Sequence, residues 1–436
     1  MAVAAGLLTA GLASPAFGDE PQSDQLWINT HEDQSLPLGT ADAPPQSRTV
    51  HVGLSHDNAN FSVTKGRLSV DVSGLAGIAE VSWPDNCAPD GTHAVCDIPV
   101  VPTLDDDYAD QVSLTVRAAD GAKAGARGKI TYEATATGGP DGTLTAPEDS
   151  FDTTLTVSAG PDLSLAPVSD IEDGLPGELR TIPFEVTNNG NRRADGFTVT
   201  LYTSYGLTDL TPYDGCTSTT PGGGAPSSTT TVCTFDTALA PGESAELPEP
   251  LAVRLAPYAL NERFDIDVEP GRGAEDIESG DNYRAVQIGV KNTADFSVAG
   301  DTVTAAAGET VTAALTFRNN GPAWFGNLGS GDPVAAVRLL VPAGTTVTDA
   351  PYECIPHTLA GGYYPQRSGA PRYDCKLPRA VRESATHTFE LSLRVDTVVP
   401  GAKGAVSIHP AFGEFGTAPF DFDPDTSNNT SALTVN

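Results

Sequence analysis

The sequence of 436 residues is poor in basic side chains, in methionine and in long apolar segments. Its 24 lysines and arginines face 57 aspartates and glutamates, so the formal net charge is −33. A field of this sign repels nucleic-acid phosphates and anionic lipids, and we therefore expect no nucleic-acid partner. No apolar run reaches the roughly 18 residues of a membrane-spanning helix, so no membrane insertion is predicted.

Long helical periodicity is missing as well. The chain has one methionine but 44 glycines and 35 prolines, and it consists of short segments in which apolar and polar residues alternate. Alternation with a period of two places one row of side chains inward and the other outward, as in a half-buried β-strand. This pattern, interrupted by many turn signals, is typical of an all-β protein.

The N-terminus has the features of an export signal. The apolar stretch AVAAGLLTAGLA is followed by SPAFGDE, whose small residues allow cleavage after Ala16 or Gly18, although no basic residue precedes the stretch. We predict a signal peptide over residues 1–18 and a secreted, extracellular mature protein. Association with the cell wall is a further expectation.

Three parts of the chain repeat one pattern. They open with DQLWI at Asp24, PDLSL at Pro161 and ADFSV at Ala294, and each continues into an alternating segment that ends in an asparagine-containing corner, at 49–60, 181–192 and 312–323. Two more alternating segments close each repeat. Self-similarity of this kind predicts three tandem immunoglobulin-like β-sandwich domains, over residues 19–159, 160–291 and 292–436.

The cysteines follow the same count. They form three local pairs, namely Cys87 with Cys96, Cys216 with Cys233, and Cys354 with Cys375. An even number of cysteines in an exported chain indicates disulfides, and although six cysteines allow fifteen pairings, only the local pairing makes the repeats equivalent. We therefore predict one local disulfide per domain. The absence of CxxC and Cys/His spacings argues against a metal centre at these residues.

Several elements of the sequence carry a family resemblance. VTNNG, FRNNGP, VPAGTTVTDAPYEC, LAPGESAEL and DNYRAV resemble the immunoglobulin-like repeats of secreted and surface bacterial proteins, common in actinobacteria, which include CARDB-type and related domains of unknown function. The resemblance covers the second and third repeats well, whereas the first lacks the Asn-Gly corner. It implies structural or adhesive modules and carries no catalytic residues.

Catalytic motifs are missing from the sequence. Its seven histidines are scattered, and no GxSxG elbow, phosphate-binding loop or HExxH motif occurs. We therefore predict that the protein is not an enzyme and has no cofactor. One calcium site is left open, because Asp421, Asp423 and Asp425 alternate as in the first part of a calcium loop, although Thr426 and Ala432 stand where an EF-hand needs Gly and Glu. The alternative is a charged, solvated turn.

The best candidate for a binding site is the loop between Cys354 and Cys375. It encloses twenty residues, IPHTLAGGYYPQRSGAPRYD, and combines tyrosines with basic residues, which often anchor interfaces. The alternative is that the tyrosines pack the loop onto its own sheet while the basic residues offset nearby acids. The candidate residues for binding a ligand or partner are Tyr363, Tyr364, Arg367, Arg372, Tyr373 and Trp324.

The densest acidic run, PTLDDDYADQ at 102–111, suggests a metal site when it is read alone. It occupies the position of LAPGESAEL and PRAVRESAT in the other repeats, between the cysteine-containing strand and the next strand, so we predict a solvated turn. Its counterpart in the third repeat is basic, which predicts that the first and third domains differ in charge at this turn.

These features together predict a secreted, non-catalytic protein of structural or adhesion type at the bacterial cell exterior. The protein would be a rod of tandem immunoglobulin-like domains, and its third domain would present the Tyr/Arg loop to a protein or glycan partner. The alternative is a carbohydrate- or partner-binding accessory module of a secreted hydrolase system, in which Tyr363 and Tyr364 would stack on sugars.

Overall fold

In the computed structural model, the regular secondary structure of the chain consists almost entirely of β-strands. The structure describes residues 23–40, 44–104, 111–146, 152–222, 226–411 and 420–436. The predicted signal peptide at 1–18 and the acidic residues 105–110 lie outside the described residues. Short 3₁₀ helices occur at Ser73–Leu75, Gly271–Gly273, Ser279–Asp281 and Thr426–Asn428. No helix in the described part of the chain is long and apolar enough to cross a membrane.

The chain divides into two compact units, Met1–Ala159 and Gly160–Asn436. The first unit encloses one apolar core, and the second encloses two. Each core lies between two layers of β-strands and is filled by the inward-facing residues of the alternating segments. The predicted domain boundary between 291 and 292 falls inside the second unit and stays a prediction.

The strands of the first sandwich are, within the described residues, β1 (Leu26–Thr30), β2 (Asp33–Pro37), β3 (Arg48–His56), β4 (Val63–Asp71), β5 (Ala79–Ser82), β6 (Cys87–Asp90), β7 (His93–Val101), β8 (Val112–Ala118), β9 (Arg127–Thr137), β10 (Thr143–Thr145) and β11 (Asp152–Ser158). The second sandwich contains β12 (Leu163–Leu165), β13 (Ile171–Gly174), β14 (Leu179–Thr181), β15 (Val186–Asn188), β16 (Phe197–Thr203), β17 (Leu207–Thr208), β18 (Cys216–Thr219), β19 (Thr229–Phe235), β20 (Ser244–Ala245), β21 (Ala252–Leu255), β22 (Asn261–Pro270) and β23 (Tyr283–Val290). The third sandwich contains β24 (Ala294–Ala299), β25 (Thr302–Val303), β26 (Thr310–Pro322), β27 (Phe325–Gly326), β28 (Ala335–Leu340), β29 (Thr345–Asp349), β30 (Cys354–His357), β31 (Arg372–Lys376), β32 (Ala380–Val381), β33 (Thr386–Val395), β34 (Ala402–Pro410) and β35 (Thr430–Val435).

The larger sheet has the same strand order in all three sandwiches. The orders are β2-β11-β9-β4-β7-β6, β13-β23-β22-β16-β19-β18 and β25-β35-β34-β28-β31-β30. In each sheet an early strand pairs in parallel with the last strand of the repeat, and the other neighbours are antiparallel. The facing layers are β1-β3-β8-β5 in the first sandwich, β12-β15-β20 with β14-β21-β17 in the second, and β24-β26-β33-β29 in the third. The prediction of three tandem immunoglobulin-like β-sandwiches is thereby confirmed.

A disulfide fixes one edge of each larger sheet. Cys87 bonds to Cys96, Cys216 to Cys233 and Cys354 to Cys375, and in each pair the two cysteines are direct partners across neighbouring strands. All six cysteines are thus paired, as the repeat pattern predicts. The edge strand of each sheet cannot peel from its neighbour while the bond is intact.

The asparagine corner of the second sandwich is a buried hydrogen-bond centre. The Asn188 side chain is fully buried. Its amide nitrogen donates to the carbonyl oxygens of Arg192 at 2.8 Å and Leu239 at 2.9 Å, while its oxygen accepts from the backbone N–H groups of Gly190 and Asp162. One side chain therefore joins the corner to the strand at Asp162 and to the chain near Leu239.

Asn319 repeats this arrangement in the third sandwich. The buried amide donates to the carbonyl oxygens of Ala323 at 2.8 Å and Arg382 at 3.0 Å, and the side-chain oxygen accepts from Gly321 N at 2.9 Å. The following residue, Asn320, is exposed. Of the two adjacent asparagines, only Asn319 therefore holds the corner together through buried hydrogen bonds.

The first sandwich fixes the corresponding region with other side chains. Gln111 accepts from the backbone N–H of Leu54 at 2.8 Å and donates to its carbonyl oxygen at 3.2 Å. The buried ring of His56 places Nδ1 3.0 Å from Oδ2 of Asp24. These contacts account for the different sequence of the first repeat at this corner.

Candidate functional site

The loop between β30 and β31 folds back along its own sheet edge. Tyr364 N donates to Pro356 O at 3.2 Å, so the returning chain runs beside β30. A tight turn within it is closed by Thr358 N, which donates to Gly362 O at 2.8 Å. The loop is consequently a structured element of the sheet, closed at its base by the Cys354–Cys375 disulfide.

Three large apolar side chains on and beside this loop are strongly exposed. The exposed fractions are 84% for Tyr352, 68% for Leu359 and 74% for Tyr363. The guanidinium of Arg367 lies over the Tyr352 ring, 5.7 Å from its centre. We call Tyr352, Leu359, Tyr363 and Arg367 the tyrosine patch.

Arg367 and Tyr373 hold the patch in place. Nη2 of Arg367 donates to the carbonyl oxygen of Pro351 at 2.7 Å. The buried Tyr373 hydroxyl donates to Arg367 O at 2.9 Å and accepts from Ala370 N at 3.3 Å. Because the residue before Tyr352 and the buried Tyr373 are both hydrogen-bonded to this arginine, part of the patch is held in place before any partner binds.

Arg372 belongs to a buried ion cluster below the loop. The Asp374 carboxylate accepts from Nε of Arg372 and Nε of Arg338, both at 3.0 Å. Burial alone would raise the pKa of Asp374, but hydrogen bonds from Arg372 and Arg338 hold the pKa of this carboxyl below its usual value. His409, which donates to or accepts from Ser407 Oγ at 2.7 Å, has its pKa lowered by burial and by the Arg338 charge. We assign these side chains to sheet packing.

The structure therefore separates the six predicted binding residues. Tyr363 and Arg367 are exposed and Tyr364 is half-buried against the core, whereas Arg372, Tyr373 and Trp324 are buried. The buried side chains of Arg372, Tyr373 and Trp324 make contacts within the protein, and a binding role for any of the six residues stays a prediction. Tyr352 and Leu359, which sequence patterns did not single out for the site, join the exposed set.

Trp324 lies between the second and third sandwiches. Its Nε1 donates to Oε1 of Glu262 at 2.6 Å, and its ring meets the Tyr205 ring edge-on at 5.4 Å. Glu262 was not identified as a candidate functional residue from the sequence. The signal available in the sequence is that Glu262 stands in the inward row of β22, ahead of Phe264 and Ile266.

Two of the three aspartates before β35 make internal contacts. Asp423 is buried, and its Oδ2 accepts from Phe296 N at 3.2 Å and Asn429 Nδ2 at 3.1 Å. Asp425 caps the 3₁₀ helix by accepting from Ser427 N at 3.1 Å. Asp421 is exposed. In the described part of the chain, no group of three or more His, Cys, Asp or Glu residues has a geometry that could hold a metal ion, and calcium binding stays a prediction.

The second sandwich carries the same carboxylate contact as the third. Asp276 Oδ2 accepts from Leu163 N in β12 at 2.8 Å, as Asp423 accepts from Phe296 N in β24. A contact that recurs at one position of two repeats is explained by its role in pinning the first strand. The acid before the last strand is thus a structural element of the repeat.

Comparison with known proteins gives distant matches of fold only. No family model and no curated protein matches the chain. A complex of Dpr2 Ig1–Ig2 with DIP-Theta Ig1–Ig3 is 11% identical, with a TM-score of 0.25 over 94% of this chain and 98% of that chain. A membrane-anchored protein from Corynebacterium diphtheriae is 9% identical, with a TM-score of 0.19 over 94% of this chain and 95% of that chain. Trypsin-activated α2-macroglobulin from Escherichia coli is 16% identical, with a TM-score of 0.22 over 77% of this chain and 21% of that chain.

Proposed function

We infer that the protein is a secreted, non-catalytic protein of adhesion or structural type, which acts at the bacterial cell exterior and binds its partner through the tyrosine patch. It would belong with the CARDB-type and related repeats of secreted bacterial proteins that its second and third repeats resemble. The observation that carries this proposal is the exposure of three large apolar side chains within twelve residues, from Tyr352 to Tyr363.

Exposed apolar side chains grouped in this way favour a binding role. A soluble protein gains by burying such groups, and burying one Leu or aromatic side chain against a partner is worth about 1.5–3 kcal/mol. Tyrosine and arginine, both present in the patch, are the residues most often found at the energetic centre of interfaces. The patch therefore has the composition of a partner-binding surface.

The anchoring of the loop also favours binding. Its base is closed by the Cys354–Cys375 disulfide, and Arg367 is bonded to the carbonyl oxygen of Pro351. A loop already held in one conformation loses less entropy when it binds. A disulfide-closed loop is also an efficient way to present side chains outside the cell, where the bonds persist.

The test is a binding comparison between the full chain and two variants. We would measure retention on intact cells of the source organism, on isolated cell envelope and on insoluble polysaccharides. The double variant Tyr352→Ala/Tyr363→Ala should reduce retention by about tenfold or more. Tyr202→Ala is the matched control, because Tyr202 is a 39% exposed tyrosine on β16 of the second sandwich.

Each outcome selects one interpretation. Loss of retention on cells or envelope in the double variant alone supports an adhesion-type protein. Loss confined to polysaccharide supports the accessory carbohydrate-binding module, with Tyr352 and Tyr363 as stacking platforms. Equal retention of the native chain, the double variant and the control on every surface would remove the tyrosine patch from the binding site.

A further inference from the structure

Glu262 is a carboxylic acid in a position that normally holds an apolar residue. It lies in the inward row of β22, followed by Phe264 and Ile266, and is only 1% exposed. Burying a charged carboxylate without compensation is costly, so the groups that surround it must account for its presence.

Four donors converge on this carboxylate. Oε2 accepts from the Ser204 hydroxyl and from Gly206 N at 3.0 Å, and Oε1 accepts from Leu260 N at 3.2 Å. These three groups belong to the second sandwich. The fourth donor is Nε1 of Trp324, at 2.6 Å from Oε1, and it comes from the third sandwich. Glu262 therefore forms one of the hydrogen bonds that join the two sandwiches.

Aromatic side chains close the same junction. The Tyr205 ring stacks on Tyr258 at 4.9 Å and meets Trp324 edge-on at 5.4 Å. Arg382, from the third sandwich, lies over the Tyr205 ring at 4.7 Å and donates to its hydroxyl at 3.0 Å. Trp324 N donates to Tyr258 O at 3.0 Å. Separation of the sandwiches would break these contacts and expose Glu262 to water.

We propose that Glu262 is a proton-responsive clamp between the second and third sandwiches, which holds them together more firmly as the medium turns acidic. This goes beyond the proposed function, because it concerns a site remote in sequence from the tyrosine patch. It makes the orientation of the third sandwich against the second dependent on pH.

The sign follows from proton linkage. Burial raises the pKa of Glu262 above its usual value of 4.5, although the hydrogen bonds from Ser204 and Trp324 oppose that rise. An open junction returns the carboxyl to water, where its pKa is ordinary, so the closed junction binds the proton more tightly. The gain is fully present below pH 4.5 and is lost as pH rises through the raised pKa. Once protonated, the carboxyl can donate to Ser204 Oγ and still accept from Trp324.

The titratable groups that face the junction beside Glu262 are two tyrosines, one arginine and one further carboxyl. Burial raises the pKa values of Tyr205 and Tyr258, so both stay neutral at acidic and neutral pH. Arg382 is the guanidinium that lies over the Tyr205 ring at this junction. Glu383 lies close enough to Tyr205 to act on its pKa and is the second carboxyl of the junction. Glu383→Gln is therefore the matched control.

The first measurement is a fluorescence titration of the full chain. The Trp324 signal is obtained by subtracting the fluorescence of Trp324→Phe from that of the native chain. This subtraction removes the contributions of Trp27 and Trp83. Because Glu262 touches the indole N–H, its protonation should change this difference with a midpoint above pH 4.5. The midpoint should vanish in Glu262→Gln and persist in Glu383→Gln. A flat titration of the native chain would overturn the proposal, even if a variant failed to fold.

The second measurement follows the junction itself. Limited proteolysis of the connection between the second and third sandwiches should be slower at acidic pH than at neutral pH in the native chain and in Glu383→Gln, with a protease active across the range. Glu262→Gln, permanently neutral, should show the slow rate at both pH values. Faster cleavage of the native chain on acidification, or the same pH dependence in Glu262→Gln, would refute the clamp.

Discussion

The buried asparagine corners make a sharp prediction about stability. Asn319→Ala removes three hydrogen bonds and leaves the carbonyl oxygens of Ala323 and Arg382 and the N–H of Gly321 without their side-chain partner. A typical hydrogen bond contributes about 1 kcal/mol, and an unsatisfied buried group costs about 1–3 kcal/mol. Since the side chain is fully buried, we expect the substitution to destabilise the third sandwich by about 3–5 kcal/mol.

The neighbouring asparagine is a control built into the sequence. Asn320 is exposed, and its amide donates to Asp295 Oδ2 and Ser297 Oγ, both at 3.0 Å. Water can replace these partners, so Asn320→Ala should cost no more than about 1 kcal/mol. The two variants have the same change of composition and adjacent positions, and they differ in burial.

Differential scanning calorimetry of the full chain is a suitable assay, because transitions of separate units can be resolved. With about 2–4 °C per kcal/mol for a unit of this size, Asn319→Ala should lower the transition of unit Gly160–Asn436 by roughly 10 °C. The transition of unit Met1–Ala159 should not move. If Asn319→Ala shifted the transition no further than Asn320→Ala, the assignment of the corner as a hydrogen-bond centre would be wrong.

Three further predictions concern the third sandwich and its neighbours. Asp374→Asn should destabilise the third sandwich by about 3–5 kcal/mol, because a neutral amide replaces the buried carboxylate that accepts hydrogen bonds from Arg372 and Arg338. Urea unfolding should show the loss, with Asp396→Asn as an exposed control. The pKa of Asp374 is held below its usual value of 3.8, so the contribution of its carboxylate to the free energy of unfolding is present above pH 3.8 and should be lost as pH falls through the lower folded value. Acid-unfolding curves of Asp374→Asn should lack this loss. Replacing both Cys354 and Cys375 by Ser should lower the unfolding free energy by about 3 kcal/mol, since their sequence separation is 21 residues; a change no larger than that of the Asn320→Ala control would refute this.

Local patterns in the sequence determined most of the fold. The two-residue alternation and the repeat predicted three sandwiches, and the equivalence of the repeats predicted the disulfides. The alternation of Ile182, Phe184 and Val186 predicted one continuous strand, but in the structure this segment is divided into the two short strands β14 and β15. Pro183 lies between them and cannot donate a backbone hydrogen bond, so the chain passes from one three-stranded layer to the other at this point.

The candidate site was less predictable because exposure depends on contacts distant in sequence. Composition marked the Cys354–Cys375 loop but could not separate Tyr363, which is exposed, from Tyr373, which is buried. The sequence predicted Arg372 to be an accessible charge, but its side chain is buried in the structure. Glu262 could have been noticed as a charge in an apolar row, but its donor Trp324 comes from another sandwich, which no local pattern reveals.

The position of the disulfides has a mechanical consequence. Each joins directly opposed residues of an edge strand and its neighbour, so a pull on the chain ends passes through the bond and not through the enclosed loop. The Cys354–Cys375 disulfide, whose cysteines are 21 residues apart, shortens the maximum length of the chain by about 70 Å, at roughly 3.3–3.6 Å per extended residue. Under tension, the chain with intact disulfides would have a shorter maximum length than the reduced chain. Reduction of the three bonds would lengthen it in three steps of increasing size, because the bonded cysteines are 9, 17 and 21 residues apart.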